Sequence, residues 1–104
     1  MRRHTAALGL VVPALLLALS TSPPAHADNA SFVSTAKSMG FVQSSPSLVS
    51  TAKSACYFLW LNRHPAQVEQ RILRYTRVQP EQAHDFFVLA VNEYCPQYRG
   101  LIGP

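Results

Sequence analysis

The sequence predicts a compact all-α domain of three to four helices with one disulfide, preceded by a cleavable signal peptide. Four stretches with apolar residues every three to four positions are separated by glycine and proline. No stretch of useful length alternates apolar and polar residues as a strand would. The chain of 104 residues has only two cysteines, Cys56 and Cys95. We therefore expect a signal peptide at 1–27 and one helical domain at 28–104.

The leader has the three parts of a secretory signal. Arg2 and Arg3 give a positive start, residues 6–19 are almost continuously apolar, and Ala25-His26-Ala27 has the small-x-small cleavage pattern. The apolar run of about 14 residues is shorter than the roughly 20 that cross a bilayer core. We expect cleavage before Asp28 and a secreted, extracytoplasmic product.

Two details bear on the export route. A lipoprotein needs a cysteine immediately after the cut, so Asp28 at this position predicts no lipid anchor. Arg2-Arg3 leaves the twin-arginine route open. The general secretory route is favoured, because His4-Thr5-Ala6 lacks the apolar pair that usually follows the twin arginines.

The first two helices have clear starts. Asp28 or Asn29 can cap a helix that runs to Met39, and Gly40 is suited to the left-handed residue after it. Ser44-Ser45-Pro46 supplies a hydroxyl cap and a proline in the first turn of a second helix that ends near Asn62. The predicted buried positions of these two helices are Phe32, Ala36, Met39, Leu48, Ala52, Ala55, Cys56 and Leu59.

The third helix begins at Arg63-His64-Pro65 and has no clear stop before Pro80, where the fourth begins and runs to Tyr94. Glu81 and Asp85 lie early in the fourth helix, where they complement its dipole. We expect residues 97–104 to form a loose tail. The predicted buried positions of these helices are Val68, Ile72, Tyr75, Ala83, Phe87, Ala90 and Tyr94.

Cys56 and Cys95 predict a disulfide between the second and fourth helices, because an exported chain meets an oxidising environment. Closing a loop of about 40 residues contributes about 4 kcal/mol in the chain-entropy account. Such a small core supplies only about 3–5 kcal/mol by packing. Metal ligation is the alternative, but it needs two more ligands and shorter spacing.

The most apolar part of the domain is the aromatic segment, residues 57–61. Its members point all round a helix, so one buried stripe cannot cover them. We favour a central second helix covered on several sides. The alternative is a ligand or partner surface formed by Tyr57, Phe58, Trp60 and Leu61.

Arg71, Arg74 and Arg77 form an arginine stripe at i, i+3 and i+6 of the third helix. Such a stripe is most often a solvated face, although it could contact anionic lipid or envelope polyanions. Without Arg2 and Arg3 the formal charge falls from +4 to +2. This weak basicity gives no support to nucleic-acid binding.

No catalytic or metal-binding constellation is evident, so we expect neither an enzyme nor a bound cofactor. There is no Gly-x-Ser-x-Gly motif or glycine-rich loop, and the acidic residues are scattered. His64 or His84 could ligate haem together with Tyr57, Tyr75 or Tyr94, but structural roles are favoured for both histidines.

Residues 31–38 recur closely at 47–54, as SFVSTAKS and SLVSTAKS. A local duplication would explain this, and so would two similar amphipathic helices. Two copies are too few for a solenoid.

Gly40, Ala52-x-x-Ala55-Cys56 and Tyr94-Cys95-Pro96 together resemble a family of small secreted actinobacterial proteins, domain of unknown function 732. The resemblance covers about 31–97 and implies a compact helical domain with the two cysteines bridged. It implies no catalytic residue. The chain departs from the family at Ser44-Ser45, where an acidic residue is typical, and in its unusually aromatic segment.

We therefore expect a secreted, non-enzymatic helical module that acts through contacts with a protein or an envelope component. The alternatives are a carrier of a small apolar ligand or haem and a peripheral binder of anionic membrane. The sequence leaves the oligomeric state open.

Overall fold

The computed structural model describes residues 28–103, which form a helical bundle. The predicted leader and its cleavage site, except for Asp28, lie outside the described residues. The elements are four α-helices and one 3-10 helix, and the described part contains no strand, as predicted. Their bounds are α1 Asn29–Ser38, α2 Ser45–Trp60, α3 Pro65–Thr76, α4 Pro80–Tyr94 and the 3-10 helix Pro96–Leu101.

The helix starts follow the predicted caps. Asp28 Oδ1 accepts a hydrogen bond from Ser31 N at 3.2 Å, and Ser44 Oγ accepts one from Ser47 N at 3.3 Å. His64 caps α3, because its Nδ1 accepts from Ala66 N at 3.1 Å. These bonds satisfy backbone donors that have no partner within the helix.

A residue with positive φ follows the end of each of α1, α2 and α3. Gly40 has φ +104°, and a Cβ there would lie 2.6 Å from Gln82 Nε2, which donates to Met39 O. Arg77, with φ 60°, ends α3, although the sequence showed no clear stop there. α2 ends at Trp60, and Asn62, two residues later, has φ 65°. Asparagine adopts this left-handed conformation more readily than most residues.

The centre of the bundle is α4, which packs against α1, α2, α3 and the 3-10 helix. Phe86 and Phe87 are both fully buried. The Phe86 ring lies 5.5 Å from the ring of Phe32 and 4.7 Å from that of Phe41. The apolar stripe predicted for the fourth helix contained Phe87 but not Phe86. Phe41 was not among the predicted buried residues.

Cys56 and Cys95 form the predicted disulfide, with a sulfur–sulfur distance of 2.07 Å. It joins the last turn of α2 to the residue that follows α4. The bond closes a sequence separation of 39 residues and crosslinks two helices that also pack against each other.

The expectations for Tyr75 and for the tail were wrong. Tyr75 was assigned to the buried side of α3 but is 64% exposed, because the buried stripe turns from Ile72 to Thr76 instead. The tail was expected to be loose, but the chain after Cys95 forms the 3-10 helix, and Tyr98 and Ile102 pack against the core.

Candidate functional site

The aromatic segment is largely uncovered. Tyr57 is 54% exposed, Trp60 65% and Leu61 39%, whereas Phe58 is partly buried. Leu59 alone of the segment is fully buried. The favoured expectation of an α2 covered on several sides was therefore wrong, because α4 occupies the centre and α2 buries only one stripe.

The exposed rings form a short row. The Tyr57 ring centroid lies 5.7 Å from that of Phe58 and 6.0 Å from that of Trp60. The disulfide at Cys56 fixes the helical turn that carries them. Large aromatic side chains exposed on a rigid turn are typical of contact surfaces.

A groove of about 530 Å³ runs between α2 and α3, and we call it the α2–α3 groove. Its floor comes from buried side chains of both helices, and its walls carry hydroxyl groups on α2 and guanidinium groups on α3. The lining residues are Ser50, Thr51, Ser54, Ala55, Phe58, Val68, Arg71, Ile72, Arg74 and Tyr75.

The α2–α3 groove combines residues that the sequence assigned to two separate surfaces. Arg71 Cζ lies 4.0 Å from the centroid of the Phe58 ring, a cation–π contact. Arg74 lines the same groove, whereas Arg77 is the C-cap of α3 and is not among its lining residues. The structure therefore separates Phe58 from the rest of the predicted aromatic surface. It also separates Arg77 from the other two arginines of the stripe.

A second, more open groove of about 1050 Å³ lies between α1 and α2, and we call it the α1–α2 groove. Corresponding positions of the two repeated segments line it: Val33 and Val49, Ser34 and Ser50, Lys37 and Lys53. Asn29, Ala30 and Tyr57 also line this groove. The repeat thus builds both walls of one surface.

A family comparison covers most of the described residues. The family described as "Protein of unknown function (DUF732)" matches residues 27–97. The chain belongs to this family. No curated protein and no solved structure matches it. Membership assigns no activity to the residues of either groove.

Both histidines of the DUF732 domain have local partners. His64 caps α3, and His84 Nδ1 lies 2.8 Å from Glu69 Oε2, an ion pair when the imidazole is protonated. Neither lines the groove that contains Tyr75. Across residues 28–103, no three His, Cys, Asp or Glu side chains are grouped as metal ligands. Over the same range, no helix has the length and apolarity of a membrane span.

The start of the DUF732 domain lies against the end of α4. Asp28 N donates a hydrogen bond to Glu93 Oε2 at 2.9 Å, and the Tyr94 hydroxyl donates to Asn29 Oδ1. Burial raises the pKa of the Tyr94 phenol, and the nearby carboxylates of Glu93 and Asp28 raise it further. The phenol therefore stays protonated and keeps this donor role at neutral pH.

Sequence reasoning missed the groove residues Ser50 and Ser54, and it assigned Tyr75 to the buried side of α3. The helical register places Ser50 and Ser54 opposite the buried Leu48 and Ala52, but a serine on an outer face carries no signal of its own. The packing of α3 on one side of α2 and of α1 on the other makes them part of the two grooves.

Proposed function

We propose that this protein is a secreted, non-enzymatic module that binds a partner protein of the cell envelope through the exposed end of α2. The observation that carries the proposal is the exposure of Tyr57, Trp60 and Leu61 within one turn and a half of helix. The predicted secretory leader, with its Ala25-His26-Ala27 cleavage pattern, supports the proposed location outside the cytoplasm.

The chemistry of this surface fits a protein partner. Tyrosine and tryptophan are enriched among the residues that dominate binding energy at protein interfaces. Lys53 lies beside Tyr57 in the α1–α2 groove, and its Nζ is 5.7 Å from the Tyr94 ring centroid. Lys37 lines the same groove. The partner surface we propose is an apolar side chain flanked by acidic groups.

Photo-crosslinking in the producing cell tests this proposal. A photoreactive residue at Leu61 should give one discrete adduct with an extracytoplasmic protein. Trp60→Ser should reduce that adduct at least about tenfold, the loss of affinity that about 1.4 kcal/mol causes.

Val42→Ala is the matched control, because Val42 is an apolar side chain 86% exposed that lies outside the aromatic segment. It should leave the adduct unchanged. A photoreactive residue at Val42 that gives the same adduct as the one at Leu61 would contradict the proposal, and so would retention of the chain in the cytoplasm.

The carrier of a small ligand is the second candidate, because the α2–α3 groove has an apolar floor and a volume in the range of ligand pockets. Haem as the ligand is tested by titrating the mature protein and following the Soret band. An unshifted band at excess haem would remove that form of the hypothesis.

A further inference from the structure

We propose that the α2–α3 groove binds one molecule of an anionic amphiphile, a carboxylate or phosphate monoester attached to a hydrocarbon body. This site is separate from the partner surface proposed above, since Tyr57, Trp60 and Leu61 do not line the groove.

The floor of the groove suits the hydrocarbon body. Ala55, Val68 and Ile72 are each at most 3% exposed, so only parts of their side chains reach the surface, between the two helices. Phe58 adds an aromatic wall. From Ser50 to Phe58 the groove follows α2 for about 12 Å at 1.5 Å per residue. Its volume of about 530 Å³ is typical of sites for small organic molecules.

The α3 wall suits an anionic head group. Within residues 28–103, the side chains that form an ion pair are His84 and Glu69. In the same range, neither Arg71 nor Arg74 lies within 4 Å of a carboxylate. The Arg71 Cζ lies over the Phe58 ring, and a guanidinium in such a contact has further N–H donors for an oxyanion. Arg71 and Arg74 are three residues apart, so both can reach one head group.

The α2 wall supplies hydroxyl groups opposite the arginines. Thr51 Oγ1 already donates to Ser47 O at 2.8 Å, which leaves Ser50 and Ser54 as the hydroxyl donors on this wall. Tyr75 contributes a third hydroxyl from α3. A ligand with an oxyanion at this rim and an apolar body on the floor would satisfy both parts of the groove.

A neutral apolar ligand fits the groove less well. It would cover the floor but form no ion pair with Arg71 and Arg74, which are exposed and stay hydrated at the rim. The expected order of affinity is therefore decanoate above decanol, two ligands with equal chain length and different head groups.

The test is an NMR titration of the mature chain with sodium decanoate below its micelle concentration, with decanol as the uncharged comparison. Decanoate should give saturable shifts at Ala55, Phe58, Val68 and Ile72. The double variant Arg71→Gln/Arg74→Gln should weaken decanoate at least about tenfold and leave decanol within about twofold, because only the charged head group forms ionic hydrogen bonds with the arginines.

Arg63→Gln/Arg99→Gln is the matched control, since it removes the same charge from exposed positions outside the groove. It should leave decanoate binding within about twofold. Thermal unfolding of both double variants verifies that each is folded. Equal weakening by both pairs, equal affinity for decanoate and decanol, or no saturable shift would overturn the proposal.

Vesicles distinguish the two sources of such a head group. With phosphatidylglycerol vesicles at low salt, a site for single free amphiphiles predicts that the protein stays in the supernatant and still binds decanoate saturably. If the protein co-sediments through Arg71 and Arg74 and shows no saturable shift with decanoate, the groove contacts membrane headgroups and the single-molecule site is wrong. Failure of this site would leave the Trp60 crosslinking result unaffected.

Discussion

Single residues show how local chemistry sets the ends of this domain. Asp28 both caps α1 and donates its own N–H to Glu93, so the first described residue is attached to the central helix. The predicted cleavage before Asp28 would convert that amide into a positively charged amine beside a carboxylate. Processing would therefore place a positive charge on the donor and turn a hydrogen bond to a carboxylate into an ion pair.

Glu93→Gln should destabilise the mature chain more than an N-acetylated chain that also starts at Asp28. The difference is expected to be about 1 kcal/mol or less, as for other exposed ion pairs. It should be present at neutral pH, where the amine is charged, and should disappear as the pH rises above about 8, the ordinary pKa of an α-amino group. Urea unfolding of the four proteins at two pH values measures this. An identical cost in both chains would show that the amine does not pair with Glu93.

At the scale of elements, the repeated segments and α4 explain the layout. Phe32 and Leu48 are equivalent in the repeat and both are buried, as are Ala36 and Ala52. The equivalent residues Lys37 and Lys53 both line the α1–α2 groove. α4 then fills the centre with Phe86, which the fourth-helix stripe through Phe87 did not include.

Phe86→Ala should abolish most of the cooperative fold. Removing a fully buried phenylalanine costs about 3–5 kcal/mol, which equals the stability that packing gives a chain of this size. Phe86→Leu should keep a measurable but lowered unfolding transition. Trp60→Ala, an aromatic deletion at an exposed site, should change the midpoint little. Circular dichroism during urea unfolding compares the three, and a stable Phe86→Ala variant would show that α4 is not the centre of the core.

For the whole molecule, the disulfide and the core contribute stability of the same order. The bond connects α2 with the end of α4, so it crosslinks the helix that carries the aromatic segment to the helix that organises the core. Without the bond, the unfolded chain gains the freedom of a loop that spans 39 residues of sequence.

Reduction should lower the free energy of unfolding by about 4 kcal/mol in the chain-entropy account and leave the domain largely unfolded at 37 °C. The double variant Cys56→Ser/Cys95→Ser should show the same loss and no further response to reductant. Intact mass after thiol alkylation of secreted protein should find no free sulfhydryl. Two free sulfhydryls on a folded chain would contradict the bridge.

The helices, their starts and the cysteine pairing were predictable from the sequence. The helices and their starts depend on information within a few residues: the spacing of apolar side chains, a hydroxyl or carboxylate cap, and the backbone limits of Pro46, Pro65, Pro80 and Gly40. The pairing followed because the chain has only two cysteines. The left-handed end at Arg77 and the ordered chain after Cys95 had no such local signal.

Which helix faces are covered depends on how the helices pack together. Residues 57–61 point in all directions around α2, so their burial depends on which neighbour packs where. With α4 at the centre, Tyr57 and Trp60 remain exposed, and Phe58 meets Arg71 across the α2–α3 groove. That meeting joins residues on two helices, and no spacing along the chain encodes the distance between them.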